Sequence, residues 1–424
     1  MGLQICAAHL QSVVALKCTG GPINNTLDGA TVTKTSEDHI QFLDQLRGLA
    51  IFSVFAFHCM VTAYYPVLGT DQLKWNGWWR DFHAPASFLA LLPLTLGWAG
   101  VAIFFVISGF CIHLSHERSR QKGWKTFFLR RFFRIYPPYL VSLLFFGLVF
   151  PLTRLNFTAH VLHVHAEWFY SLVQLGVHLL LVHNFSAISL KGINPPFWSI
   201  AVEVQLYLLY PLVHRLLKSK GLLPMLWLSG GIELGLRSVE AVLIMLHPNR
   251  DIPVWFANEP FIFWFSWTIG AVLAEAWLSG KPLPFRHSLW VWPLVTLLCY
   301  GIRPLSIFCF PLTALSTVAL ISALLSTDVP LFPARLDFLA GHLRFAGIVS
   351  YSAYLIHMPL LYFVPVLASS LFPGYPFNPP AVAALCLVAW FPILALSYLM
   401  YRWIELPSIA SGKSIIQRQQ GVAP

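Results

Sequence analysis

Charge is scarce in this sequence. Only 10% of its 424 residues are Asp, Glu, Lys or Arg, where a soluble domain carries about 25%. Apolar residues make up 57% of the chain, mean hydropathy is +0.68, and no polar stretch is long enough for a soluble domain. The composition therefore excludes a soluble enzyme and, with no basic soluble module, a nucleic-acid-binding protein. Its seven cysteines form no CxxC pair, so neither a disulfide framework nor a zinc motif is expected. Cys59, Cys111, Cys299, Cys309 and Cys386 fall in or beside apolar runs, where cysteine behaves as a small hydrophobe. The histidines His160, His163, His165, His178 and His183 lack HExxH spacing, and no bound metal is expected from them. No GxSxG elbow surrounds Ser108. Residues 1–40 lack the basic start of a secretory signal and are expected to be a flexible tail.

What the chain does have is long apolar runs. A helix of about 20 apolar residues crosses a bilayer core. Such runs are expected near 42–65, 98–115, 135–152, 197–217, 222–246, 258–278, 288–302, 304–325, 348–370 and 379–402. The fold class is all-α: a polytopic membrane protein with a single bundle of about ten transmembrane helices, spanning 41–408 and followed by a C-terminal tail, 409–424. Residues 160–183 are apolar but studded with histidine, and are expected to lie in the interface or re-enter without crossing. With that segment kept out of the count, one face holds the basic loops, including Arg118 to Arg134, Arg215, Lys218 and Lys220. The opposite loops hold only Lys74, Arg80, Arg154, Lys191, Arg250 and Arg303. Positive residues stay inside, so both termini are expected in the cytoplasm of the inner or plasma membrane.

The first run, FLDQLRGLAIFSVFAFHCMVTAYY, is apolar after Arg47 except at His58. Eleven residues separate the two, about three turns, which puts both on one helix face. Such residues in lipid usually face a bundle interior or wet cavity. The alternative is an Arg snorkelling to the headgroups and a His bonded to a neighbouring helix. Asp44 lies at the i,i+3 spacing from Arg47 and can neutralise it.

Further motifs follow in order: GVAIFFVISGF, RRFFRIYPPYL, PFWSIAVEVQLYLLYPL, GIVSYSAYLIHMPL and YRWIELP. Together with LDQLRGLAIFSVFAFH, this series resembles the integral-membrane acyltransferase-3 family, which includes O-acetyltransferases of lipopolysaccharide, peptidoglycan and other glycans. The resemblance covers about 41–408. It implies transfer of an acyl group, often acetyl, from cytoplasmic acyl-CoA as co-substrate to a hydroxyl of a glycan or lipid-linked saccharide. The family's Arg and His fall on Arg47 and His58, its Ser-Gly signature on Phe104, Phe105, Ser108 and Gly109, and its basic stretch on Arg130, Arg131 and Arg134. Members often carry a second acid after Glu203, where this chain has Val204.

The chemistry suits those residues. Attack of an alcohol on a thioester needs a base of near-neutral pKa, which histidine supplies. His58 is expected to act either as that base or as acyl carrier. Arg binds phosphate bidentately, so Arg47 and the Arg130, Arg131 and Arg134 run are candidates for CoA. The run is equally explained by topology alone. Ser108 is placed with the donor site or serves close helix packing. Glu203, a turn inside an apolar helix, belongs to the site or to a structural ion pair. Tyr354 and His357 are possible interhelical hydrogen bonders. The rival reading is a transporter using Arg47, His58 and Glu203 as a proton or substrate relay; the absence of an internal repeat speaks against it.

Overall fold

The computed structural model describes residues 36–73, 92–119, 123–149, 168–190, 192–247, 252–302, 304–327 and 329–419. Residues 1–35 of the tail expected over 1–40 lie outside these residues, as do His160, His163 and His165, while 36–40 begin the first helix. Among the described residues there is no strand. The α-helices of ten residues or more are α1 (Ser36–Leu73), α2 (Ala99–Arg118), α3 (Trp124–Leu144), α4 (Trp168–Leu179), α5 (Phe197–Lys220), α6 (Leu222–Leu246) and α7 (Trp264–Leu278). They continue with α8 (Val291–Tyr300), α9 (Cys309–Ser326), α10 (Asp337–Ile348), α11 (Ser350–Leu371), α12 (Pro379–Val388), α13 (Trp390–Met400) and α14 (Leu406–Gln419). Backbone hydrogen bonds closed within each helix make this the natural solution for an apolar chain in lipid.

Seven stretches among the described residues are long and apolar enough to cross a membrane: Gln41–Tyr64, Pro93–Arg118, Phe197–Lys220, Val254–Leu278, Ser306–Ser326, Ser350–Leu371 and Pro379–Gln419. The other three expected spans fall on helices that miss that standard for visible reasons. Helix α3 opens on the basic run, α8 is short, and α6 carries Glu233, Arg237 and Glu240. Helix α4 has 12 residues, about 18 Å at 1.5 Å per residue, well short of a bilayer core of about 30 Å.

Helix α1 is the central post, packed against α2, α10, α11 and α12. Small residues set the closest crossings, as expected where lipid removes the hydrophobic drive between helices. A methyl at Gly109 of α2 would collide with the Trp267 carbonyl, and one at Gly270 of α7 with that of Val106. The two backbones therefore touch, and Ser108 is held against α7.

The charges of α6 turn inward. Glu233 and Arg237, one turn apart, are both buried and joined at 3.0 Å. Arg237 also donates to the carbonyls of Ile262 and Ile307, while Ser266 donates to Glu233 through its backbone N–H and its hydroxyl. Every strong donor here has an acceptor, which is what makes a buried pair tolerable. Arg237→Met strands the Glu233 charge, and thermal unfolding in detergent is expected to show a loss of about 3–5 kcal/mol.

Of the expected C-terminal tail 409–424, residues 409–419 are helical, in the body of α14, which packs along α3, and 420–424 lie outside the described residues. Gly412 lies against Phe133, and Ser408 donates to the Phe133 carbonyl.

Candidate active site

The site grows out of α1, α2, α5 and α11, whose polar residues stack as a column through the bundle. At one end, Arg47 donates to Asp44 at 2.8 Å and to Cys111 Sγ at 3.1 Å. Cys111 is one turn from Ser108 on α2. Ser108 Oγ donates to Glu203 Oε1 at 2.6 Å, and Tyr207, one turn beyond Glu203 on α5, donates to the same oxygen. Trp267 Nε1 closes the group by donating to Ser108 Oγ at 3.2 Å. Glu203 therefore bonds to hydroxyls here, and Ser108 spends its proton on a carboxylate.

One turn back along α5, Ser199 continues the column. Its hydroxyl lies 3.2 Å from the Pro196 carbonyl, which accepts its proton. The Tyr354 hydroxyl, 2.7 Å away, is then the donor to Ser199 Oγ. The Tyr354 ring meets Phe104 edge-on, one turn from Ser108. The column ends in a pair of imidazoles: His357 Nε2 lies 3.0 Å from His58 Nδ1.

The proton positions in that pair follow from its neighbours. His357 Nδ1 faces the carbonyls of Ala353 and Tyr354 at 3.1 and 3.0 Å. Carbonyls only accept, so Nδ1 carries the hydrogen and Nε2 is left with its lone pair. His58 Nδ1 must then donate to His357, which leaves the lone pair of His58 on Nε2. His357 is buried and His58 half-buried. The arrangement presents one basic nitrogen in a fixed tautomer.

Local sequence explains why α11 holds His357 there. Pro359 has no N–H to give the Leu355 carbonyl one turn earlier, and a proline inside a helix leaves that acceptor open. Ser142 Oγ of α3 and Asn194 Nδ2 both donate to it, at 3.0 and 2.8 Å. The defect is satisfied, and α11 is pinned to α3 and the start of α5.

The three basic residues expected at the donor site part company. Arg134 pairs with buried Glu405 at 2.6 Å, and Glu405 also accepts from Ser352 at 2.9 Å. Arg130 donates to Ser119 at 2.8 Å. Arg131 is inward: its Nη2 makes a long contact of 3.5 Å to Ser115, its guanidinium stands over Phe127, and its Nε is buried without an acceptor. Of the three, Arg131 has binding capacity to spare.

The sequence singled out Arg47, His58, Ser108 and Glu203, and the structure brings all four into the column. It missed Tyr207, visible only as i+4 from Glu203, and Trp267, which carries no motif. Sequence alone marks His357 and Tyr354 as hydrogen bonders, and only the structure brings His357 to His58.

A model of the acyltransferase domain matches residues 40–402. Among similar proteins, the acyltransferase MdmB of Streptomyces mycarofaciens is 28% identical over 64% of this chain and 70% of its own. The peptidoglycan O-acetyltransferase OatA of Listeria monocytogenes is 26% identical over 78% of this chain but only 50% of its own length. A putative acetyltransferase of Acidianus two-tailed virus is 26% identical over 48% of this chain and 58% of its own. No solved structure matches. With the domain match covering nearly the whole bundle, the chain belongs to the integral-membrane acyltransferase-3 family and is an acyltransferase.

Proposed function

We propose that the protein moves an acyl group, acetyl by preference, from a coenzyme A thioester to a hydroxyl of a glycan or lipid-linked saccharide. The observation that carries this reading is the His58–His357 pair, in which the lone pair of His58 is left on Nε2. His58 Nε2 takes the acceptor's proton as its oxygen attacks the thioester carbonyl. The carbon–sulfur bond then breaks, and the departing thiolate recovers the proton from His58. The ester forms and free CoA leaves with no other reactant consumed. A hydroxyl acceptor on a cell-surface glycan is supported by the listerial relative's name. The Lys/Arg bias supports a cytoplasmic donor and cytoplasmic termini. Mass spectrometry of cell-surface glycans from cells with and without the gene tests the proposal. Acyl esters on saccharide hydroxyls should disappear with the gene, and an unchanged ester profile would overturn it.

Arg131 is the residue assigned here to the donor. Its unfilled buried Nε suits a phosphate or thioester oxygen. Removing a charge-assisted hydrogen bond costs about 1.5–3 kcal/mol, so Arg131→Met should raise the donor KM roughly 10- to 150-fold and leave acceptor dependence nearly intact. Arg134→Met should behave differently. It breaks the pair with Glu405 and should lower the melting temperature more than donor affinity.

A further inference from the structure

A second polar cluster sits away from the column, where α2, α5 and α7 end together. His116 and Glu117 occupy the last turn of α2, His214 and Lys218 the final turns of α5, and Glu275 the last turn of α7. His214 Nε2 lies 2.8 Å from Glu117 Oε1, and the His116 and His214 rings meet edge to face with centroids 4.9 Å apart. One donor atom from each of His116, Glu117 and His214 falls within 4.8 Å of the others. Trp124, the first residue of α3, stacks on His116 at 5.0 Å and 9°. Beside the cluster opens a cavity of about 800 Å³ lined by Trp124, His214, Arg215 and Lys218, which gives a solvated ion a way in.

We propose that His116, Glu117 and His214 form a site for a divalent transition metal, with Zn²⁺ the ion the donor set fits. Two imidazoles and a carboxylate are zinc ligands, while Mg²⁺ and Ca²⁺ require oxygen. Zinc bonds of about 2.0–2.2 Å put tetrahedral donors roughly 3.4 Å apart. His214 and Glu117 are already closer than that, so His116 makes the main inward movement. The charge balance allows it. Lys218 now bridges Glu117 at 2.9 Å and both oxygens of Glu275 at 2.9 and 2.8 Å. It can release Glu117 to the metal and stay anchored on Glu275, which also meets His113 at 2.7 Å and Ser279 at 3.4 Å. The ion would tie the end of α2, on which Trp124 of α3 stacks, to the helix that carries Glu203; α3 also carries Arg130 and Arg131. Its role is to hold the donor side of the site in register, remote from the reacting atoms.

The test uses tag-free, full-length protein in detergent, dialysed against low-micromolar ZnCl₂ at neutral pH, with metal measured by mass spectrometry. One zinc per chain and a melting temperature several degrees higher are expected, and both should vanish in a monodisperse H116Q/H214Q variant. Cobalt supplies a check that needs no variant: Co²⁺ in the wild-type protein should give the visible absorption of a tetrahedral nitrogen–oxygen site. No bound zinc, no cobalt spectrum, or an equivalent retained by H116Q/H214Q and lost when His160, His163 and His165 are changed to Gln would each overturn the proposal.

Discussion

His58→Gln is expected to lower acyl transfer by about 10²–10⁴-fold in a protein that still inserts and melts like the wild type. Glutamine fills most of the imidazole's volume, so packing between α1 and α11 survives. What it cannot do is take up a proton at neutral pH. The loss should fall on kcat, with the donor KM little changed, because His58 stands at the far end of the column from Arg47, eleven residues along α1, or about 16 Å at 1.5 Å per residue. Single-turnover kinetics with a thioester donor reads this directly.

His357 is expected to give the second-largest effect, through His58. It accepts the Nδ1–H of His58 and thereby fixes both the tautomer and the ring. His357→Leu removes that acceptor while preserving bulk in a buried site. Misplacing a reacting group by about 1 Å can cost about 10²-fold, and a loss of that order in kcat is expected. The conservative change separates positioning from packing. In His357→Gln the side-chain carbonyl reaches the place of Nε2 and can accept the same hydrogen, so much of the rate should return. Equal activity in both variants would show that the contact between the two rings does not orient the base.

Arg47 and His58 were legible because both lie on one helix, where the 3.6-residue repeat converts spacing into direction. Glu203 and Ser108 were legible as polar residues inside apolar runs, which lipid penalises unless they are used. Their mutual bond was not, since it joins helices 95 residues apart. The same limit hid His357, which lies 299 residues from His58. It also hid the fate of Arg134. A basic run before a span reads alike whether its residues bind phosphate or a carboxylate, and Glu405 was one of several distant acids. Helix α14 was illegible for a different reason. Glu405, Gly412 and Ile416 are buried along one face and mark a helical stripe, but the polar residues between them made the segment look like a tail.

The decisive measurement is thiol release from acetyl-CoA by purified protein reconstituted in lipid vesicles, with a saccharide acceptor supplied and the wild type run beside His58→Gln. Free CoA should appear in step with ester on the acceptor for the wild type and fall to near background for His58→Gln. Wild-type protein that takes up acceptor without releasing thiol, or a folded His58→Gln protein that releases it at the wild-type rate, would contradict catalysis by this histidine.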